Sequence, residues 1–148
     1  MGNKIMVAVN DSISSRAALD YLIHLALCPD DLEVVLIHVF RQPSGGEELM
    51  GKKYMKQQPA RHMKLLEEAR SKLVEKGIFP ENIEIKLVEQ PYQTVAEGII
   101  EQARNIRPSM VLIGRKRMSK AEEFVHGDIS IKLVRALEGM AILVVKVQ

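Results

Sequence analysis

Met110-Val-Leu-Ile-Gly114-Arg-Lys-Arg-Met-Ser-Lys-Ala-Glu-Glu-Phe-Val-His-Gly127-Asp128-Ile-Ser130 is the stretch on which the reading of this sequence turns. It begins as an unbroken apolar segment, runs into a glycine, passes through a basic and polar loop, and meets a second glycine just before a new helical pattern. A strand without polar positions is covered on both faces, as in parallel sheets between helices. The N–H groups that open a helix lack intrahelical partners and carry partial positive charge, so the loop ends on a candidate anion site. The glycines would let the chain pass close to a phosphate. A plain strand-to-helix connection would use the same glycines for its turns, and short motifs often match by chance.

Working outward, Thr94 and Glu97 have capping-box spacing and open a helix through Val95, Ile99, Ala103 and Ile106, which Pro108 closes. Downstream, Gly127 or Asp128 caps a helix carrying Ile129, Leu133, Val134 and Leu137 and ending near Gly139. Ala141-Ile-Leu-Val-Val-Lys-Val147 is then the last strand. At the other end of the chain, Ile5 to Val9 is again apolar throughout and stops at Asn10-Asp11-Ser12. Those polar residues suit a tight turn, with Asp11 or Ser12 capping a helix marked by Ala18, Leu22, Leu25 and Ala26 and ended by Pro29. They stand equally well as ligand contacts, because the first strand-to-helix turn of an open α/β sheet is a place where ligands bind.

Glu33 to Phe40 reads as the second strand, apolar apart from His38, which is expected to be hydrogen-bonded packing rather than a base or a ligand. From Arg41 to Pro59 the chain is polar, rich in Gly and Pro and without an apolar period, which predicts a long mobile loop. Its Ser44-Gly-Gly-Glu-Glu48 resembles the phosphate loop of pyrophosphatase-type ATP enzymes, but that loop should follow the first strand. Met63, Leu66, Ala69, Leu73 and Val74 mark the next helix, with Glu68 and Lys72 spaced for a surface pair and Gly77 terminating it. In Asn82 to Glu89 the period changes to alternation, Ile83, Ile85 and Leu87 against Glu84 and Lys86, as in a strand near a sheet edge. The whole is β-α-β-α-β-α-β-α-β, an α/β fold with an open doubly wound parallel five-stranded sheet, read as a single domain over 1–148. Ligands in such sheets sit at the carboxyl ends of the strands, which places Asn10, the residues after Val39, and Gly114 along one rim.

Composition agrees with one domain of 148 residues, 47% hydrophobic and 27% charged. A net charge of +2 and 4% aromatic residues argue against nucleic acid, which calls for a basic face or stacking platforms. The single Cys28 fits a packed thiol in a reducing cytoplasm, and neither a leader nor a membrane-spanning apolar run is evident.

Val7-Ala-Val-Asn-Asp-Ser12, Leu36-Ile-His-Val39, Val111-Leu-Ile-Gly114, Gly127-Asp-Ile-Ser130 and Ile142-Leu-Val-Val145 together resemble, in order and over essentially the whole chain, the landmarks of the universal stress protein family. That resemblance implies a Rossmann-like sheet of order 3-2-1-4-5, a homodimer, and in many members ATP or another adenine nucleotide on the rim. The family's nucleotide motif is G-x2-G-x9-G-[ST]. Gly114, Arg117, Gly127 and Asp128 fall in its register without a gap, and two of the four match. By the resemblance, Asn10 takes the place of an Asp after the first strand, Val39 that of a main-chain contact to adenine, and Gly114 and Gly127 those of the outer glycines.

Arg117 stands where a glycine would let the loop approach phosphate. Asp128 replaces the hydroxyl residue at the helix start, a good cap that competes with phosphate for the same N–H donors. At about 4 Å and an effective dielectric of about 20, a like-charge pair there costs about 4 kcal/mol before screening. Arg115, Lys116 and Arg117, or a bridging Mg²⁺, are the candidates to offset it. The reading is therefore a non-enzymatic regulatory protein of the stress-response type with weakened or altered nucleotide binding. The alternative is an ATP-binding or ATP-hydrolysing member of the adenine-nucleotide α/β group, although the sequence carries no Cys/His metal cluster, no GxSxG elbow and no full Walker loop. In the 3-2-1-4-5 order the last strand is an edge, yet Ala141 to Val145 is apolar without a break, so a homodimer through 141–147 is expected.

Overall fold

A computed structural model describes residues 3–25, 31–41, 51–117, 119–121 and 128–147. Strands and helices alternate as β1 (Asn3–Ala8), α1 (Ile13–His24), β2 (Leu32–Arg41), α2 (Lys52–Glu75), β3 (Ile83–Tyr92), α3 (Val95–Ile106), β4 (Met110–Lys116), α4 (Ile129–Ala136) and β5 (Ala141–Val147), with a 3₁₀ turn at Pro80–Asn82 leading into β3. The strands form one sheet of order β3-β2-β1-β4-β5, and every adjacent pair is parallel.

The apolar runs are explained by burial on both faces. Along β1, Ile5 and Val7 join Leu19, Leu22, Leu66 and Leu73 under α1 and α2. Met6, between them, points the other way and joins Ile99, Val111, Leu133 and Leu137 under α3 and α4. On the edge strand β3, Ile83 is buried and Glu84 exposed. α1 lies over β4 and β5, α2 over β2 and β3, α3 over β2 and β3 from the opposite face, and α4 packs on α3 and β5.

Helix starts follow their capping residues. Ser12, rather than Asp11, caps α1, its Oγ accepting from the Ser15 N–H at 3.1 Å. Thr94 caps α3 by accepting from the Glu97 N–H at 3.2 Å. Asp128 caps α4 by accepting from the Ser130 N–H at 3.0 Å.

Three expectations need correction. The predicted loop over 41–59 is helical from Lys52, with Pro59 inside α2; this first part of the helix carries charges rather than a stripe, and the buried Leu66, Ala69 and Leu73 that reveal a period come later. Lys72 does not pair with Glu68 on its own helix but with Asp20 of α1, an interhelical contact that helical spacing cannot anticipate. Finally, α4 ends at Ala136, and of its apolar residues Leu133 is buried while Ile129 and Val134 are exposed. Cys28, Pro29 and Ser44 to Glu48 lie outside the described residues.

Candidate functional site

Beyond β1 the chain turns at Asn10, and the turn is closed by side chains. Asn10 Oδ1 accepts from the Ser12 N–H at 2.8 Å, and the Asn10 N–H donates to Ser15 Oγ at 3.0 Å. Local turn chemistry therefore occupies the carbonyl oxygen of the side chain that sequence reading offered as a ligand contact. Across the sheet, Val39 is buried at the end of β2, against Gly98 of α3. A Cβ at Gly98 would run into the Val39 side chain, so the glycine is what lets α3 come close to this rim. Gly114 has a similar cause: a Cβ there would overlap the Ser14 backbone, so the end of β4 touches the start of α1. Asn10, Val39, Gly114 and Ile129 line one cavity of about 80 Å³ with Ser15 and His38. The sequence places Asn10, the residues after Val39, and Gly114 on one rim; in the fold Asn10, Gly114 and Val39 itself share this cavity. Gly127 lies outside the described residues.

At the start of α4 the Asp128 side chain is 7% exposed. Its Oδ1 accepts from the Ser130 hydroxyl at 2.6 Å and the Ser130 N–H at 3.0 Å, and its Oδ2 lies 2.7 Å from Arg115 Nη2. That last contact is an ion pair without the alignment of a hydrogen bond. Burial alone would raise the Asp128 carboxyl. The Ser130 hydroxyl, the Arg115 guanidinium and the N–H groups of Ser130 and Ile131 outweigh it and hold the group below the ordinary carboxylate range. Asp128 is thus an internal anion on the helix-terminal donors. Among the three basic residues 115–117, Arg115 forms the ion pair with Asp128; Arg117 is exposed, and its N–H donates to the Val147 carbonyl at 3.0 Å, beside β5.

A second cavity, of about 310 Å³, opens between α1 and α2 and shares His38 with the first. His38 Nδ1 lies 2.7 Å from the Val9 carbonyl oxygen. A carbonyl only accepts, so Nδ1 carries the proton and Nε2 is left with a lone pair. This agrees with the packing role expected for His38. His62 of α2 stacks on it with ring centroids 4.0 Å apart, and Phe40 closes the cluster at 5.0 Å from His62. Burial pushes His38 down against the opposing effects of the Val9 bond and Asp11. His62 is lowered to about 4 by burial, then by His38 and Arg61, while Asp11 opposes. Both rings are neutral at pH 7. Arg61 reaches from α2 to Asp11 at 3.2 Å. Sequence reading missed His62 and Arg61, because they sit where α2 has no apolar period; the adjacent Arg61-His62 pair was the only signal. Among the described residues no group of three His, Cys, Asp or Glu side chains is arranged to hold a metal ion, and no helix is long and apolar enough to cross a membrane.

The model of the universal stress protein family matches residues 1–146 of this chain. The chain is 29% identical over 156 residues to universal stress protein YxiE of Bacillus subtilis (strain 168), across 99% of this chain and 100% of that protein. Its fold is similar to that of a universal stress protein family protein from Arabidopsis thaliana with AMP bound, with a TM-score of 0.70 at 21% identity over 99% of this chain and 92% of that one. It is also similar to a universal stress protein in complex with cAMP, with a TM-score of 0.68 at 16% identity over 97% and 96% of the two chains. At these identities the two structures speak for the fold.

Proposed function

This chain belongs to the universal stress protein family, and on that premise we propose that it is a non-enzymatic regulatory protein, a homodimer through β5, whose adenine-nucleotide site is altered rather than intact. The observation that carries the reading is the Asp128 carboxylate, seated on the α4 N-terminus and neutralised by Arg115. A phosphate arriving there meets donors already bonded and a like charge already in place. The base side of the rim remains, with Asn10, Val39, Gly114 and Ile129 around a cavity of about 80 Å³. That is well under the roughly 300 Å³ at which small-molecule pockets begin, so a base has to displace side chains on entry. Nucleotides bound to proteins of the same fold, AMP in one and cAMP in another, support adenine nucleotides as the ligand class.

The dimer reading rests on the free edge of β5, where residues 142–145 stay half-buried in the single chain, and on exposed Ile129, Ile131 and Val134 on the adjacent α4. Pairing two such edges about a two-fold axis would cover both.

Calorimetry tests the nucleotide reading. ATP should bind the natural chain weakly and in a salt-dependent manner. Arg117→Gly with Asp128→Ser, which frees the donors and the loop, should tighten it more than tenfold, or about 1.4 kcal/mol. Submicromolar ATP binding by the natural chain, or no gain in the variant, overturns the altered site; ATP turnover with Mg²⁺ above background overturns the non-enzymatic assignment.

A further inference from the structure

If the α4 terminus refuses a phosphate, the anionic end of a nucleotide needs other donors, and the cavity between α1 and α2 offers them. Its walls carry Arg16 of α1 and Arg61 and Lys64 of α2, against the carboxylates of Asp11 and Glu68. Asp11 is already held by Arg61. Among the described residues neither Arg16 nor Lys64 has an ion-pair partner, so two guanidinium or ammonium groups face a single uncommitted carboxylate. The floor adds no charge, because the stacked His38 and His62 are both held neutral by burial. With Nδ1 committed to the Val9 carbonyl, His38 offers a lone pair at Nε2, which suits a hydroxyl donor such as a ribose. His38 also lines the base-side cavity, so the two spaces share that residue. The volume of about 310 Å³ is in the range of a small-molecule pocket.

We propose that this cavity is the anion subsite of the chain: a phosphate or pyrophosphate group lies between Arg16, Arg61 and Lys64, reached from the base pocket across His38. Charge-assisted bonds from a guanidinium and an ammonium are the strong class for such a group. Glu68 at the same wall selects for ligands that also carry hydroxyl or amine donors. The placement rests on the nucleotide reading above, since the occupied α4 terminus is what sends the phosphate elsewhere.

Adenosine, AMP and inorganic pyrophosphate separate the two. In the natural chain AMP should bind about tenfold tighter than adenosine at low salt, the advantage shrinking as ionic strength rises. In Arg16→Gln/Lys64→Gln, two exposed positions whose replacement leaves the core untouched, that advantage should vanish. Pyrophosphate alone should shift the ring C–H resonances of His38 and His62 in the NMR spectrum. An AMP advantage that survives the double variant, or histidine resonances that stay still at saturating pyrophosphate, overturns the subsite and leaves the nucleotide reading standing. Pyrophosphate shifts with no binding of adenosine or AMP uphold the subsite as a site for free phosphate and overturn the nucleotide reading alone.

Discussion

Removing the guanidinium of Arg115 isolates the internal anion. Truncating one partner of a fully buried ion pair costs about 3–5 kcal/mol, because the other charge is left without compensation. Here the side chains are 24% and 7% exposed, and Asp128 keeps the Ser130 hydroxyl at 2.6 Å and the Ser130 N–H at 3.0 Å. Arg115→Ala should therefore cost less than that range, about 2 kcal/mol, equivalent to a fall in Tm of about 4–8 °C for a domain of this size. Asp128→Asn keeps an acceptor for the cap and leaves a guanidinium with access to water, so about 1 kcal/mol is expected. In the double variant the charge left behind by the first change is gone. The total should stay near 2 kcal/mol, a coupling of about 1 kcal/mol, read from urea midpoints at pH 7. The acid limb gives a second reading. A carboxyl held below its unfolded value contributes stability that is present above about pH 4 and lost as pH falls through the folded value, so Arg115→Ala should shrink that loss. Costs that add to within about 0.4 kcal/mol would refute the claim that Arg115 neutralises Asp128.

Gly114→Ala should lower stability by about 2–3 kcal/mol in urea denaturation, since its Cβ meets the rigid Ser14 backbone; a change near zero would mean that β4 and α1 can separate freely. His62, lowered to about 4 in the folded chain against 6.5 unfolded, makes the unfolded state the better proton acceptor between those values. Stability should fall as pH drops from 6.5 toward 4, and His62→Gln should flatten that slope in urea midpoints taken at pH 7, 6 and 5. Val144→Lys, a charge on the half-buried edge strand, should yield a monomer in sedimentation, and an unchanged mass places the interface elsewhere.

Much of this architecture is legible in the sequence because a doubly covered parallel strand has few polar positions and three of the four helices open on a side-chain cap. Ser12, Thr94 and Asp128 all cap as their residue types suggest. What escaped depends on tertiary neighbours. α2 begins at Lys52, but its first residues, Lys-Lys-Tyr-Met-Lys-Gln-Gln-Pro, show no apolar period in the sequence, so periodicity begins to speak only near Met63. Lys72 reaches across to Asp20, and helical spacing knows only its own helix. The basic run 115–117 offered three candidate countercharges for Asp128, and the fold sets Arg115 beside it. The glycine at 114 was read as room for a phosphate, whereas its immediate neighbour is the backbone of α1. In the same way, the second cavity joins residues from α1, β2 and α2 that no single stretch displays.

The strand order has a consequence for the birth of the chain. β1 is synthesised first and sits at the centre of the sheet, paired with β2 on one side and β4 on the other. Its β2 edge is covered early, but the β4 edge stays open until Met110 to Leu112 emerge, and α1 lies over β4 and β5, strands that do not yet exist when it forms. A nascent chain halted after β3 therefore exposes an unpaired apolar edge beside a helix lacking its floor, a configuration prone to association with other chains. Stalled or truncated products ending before residue 110 should be chaperone clients, while emergence of β4 covers the open edge of the first strand.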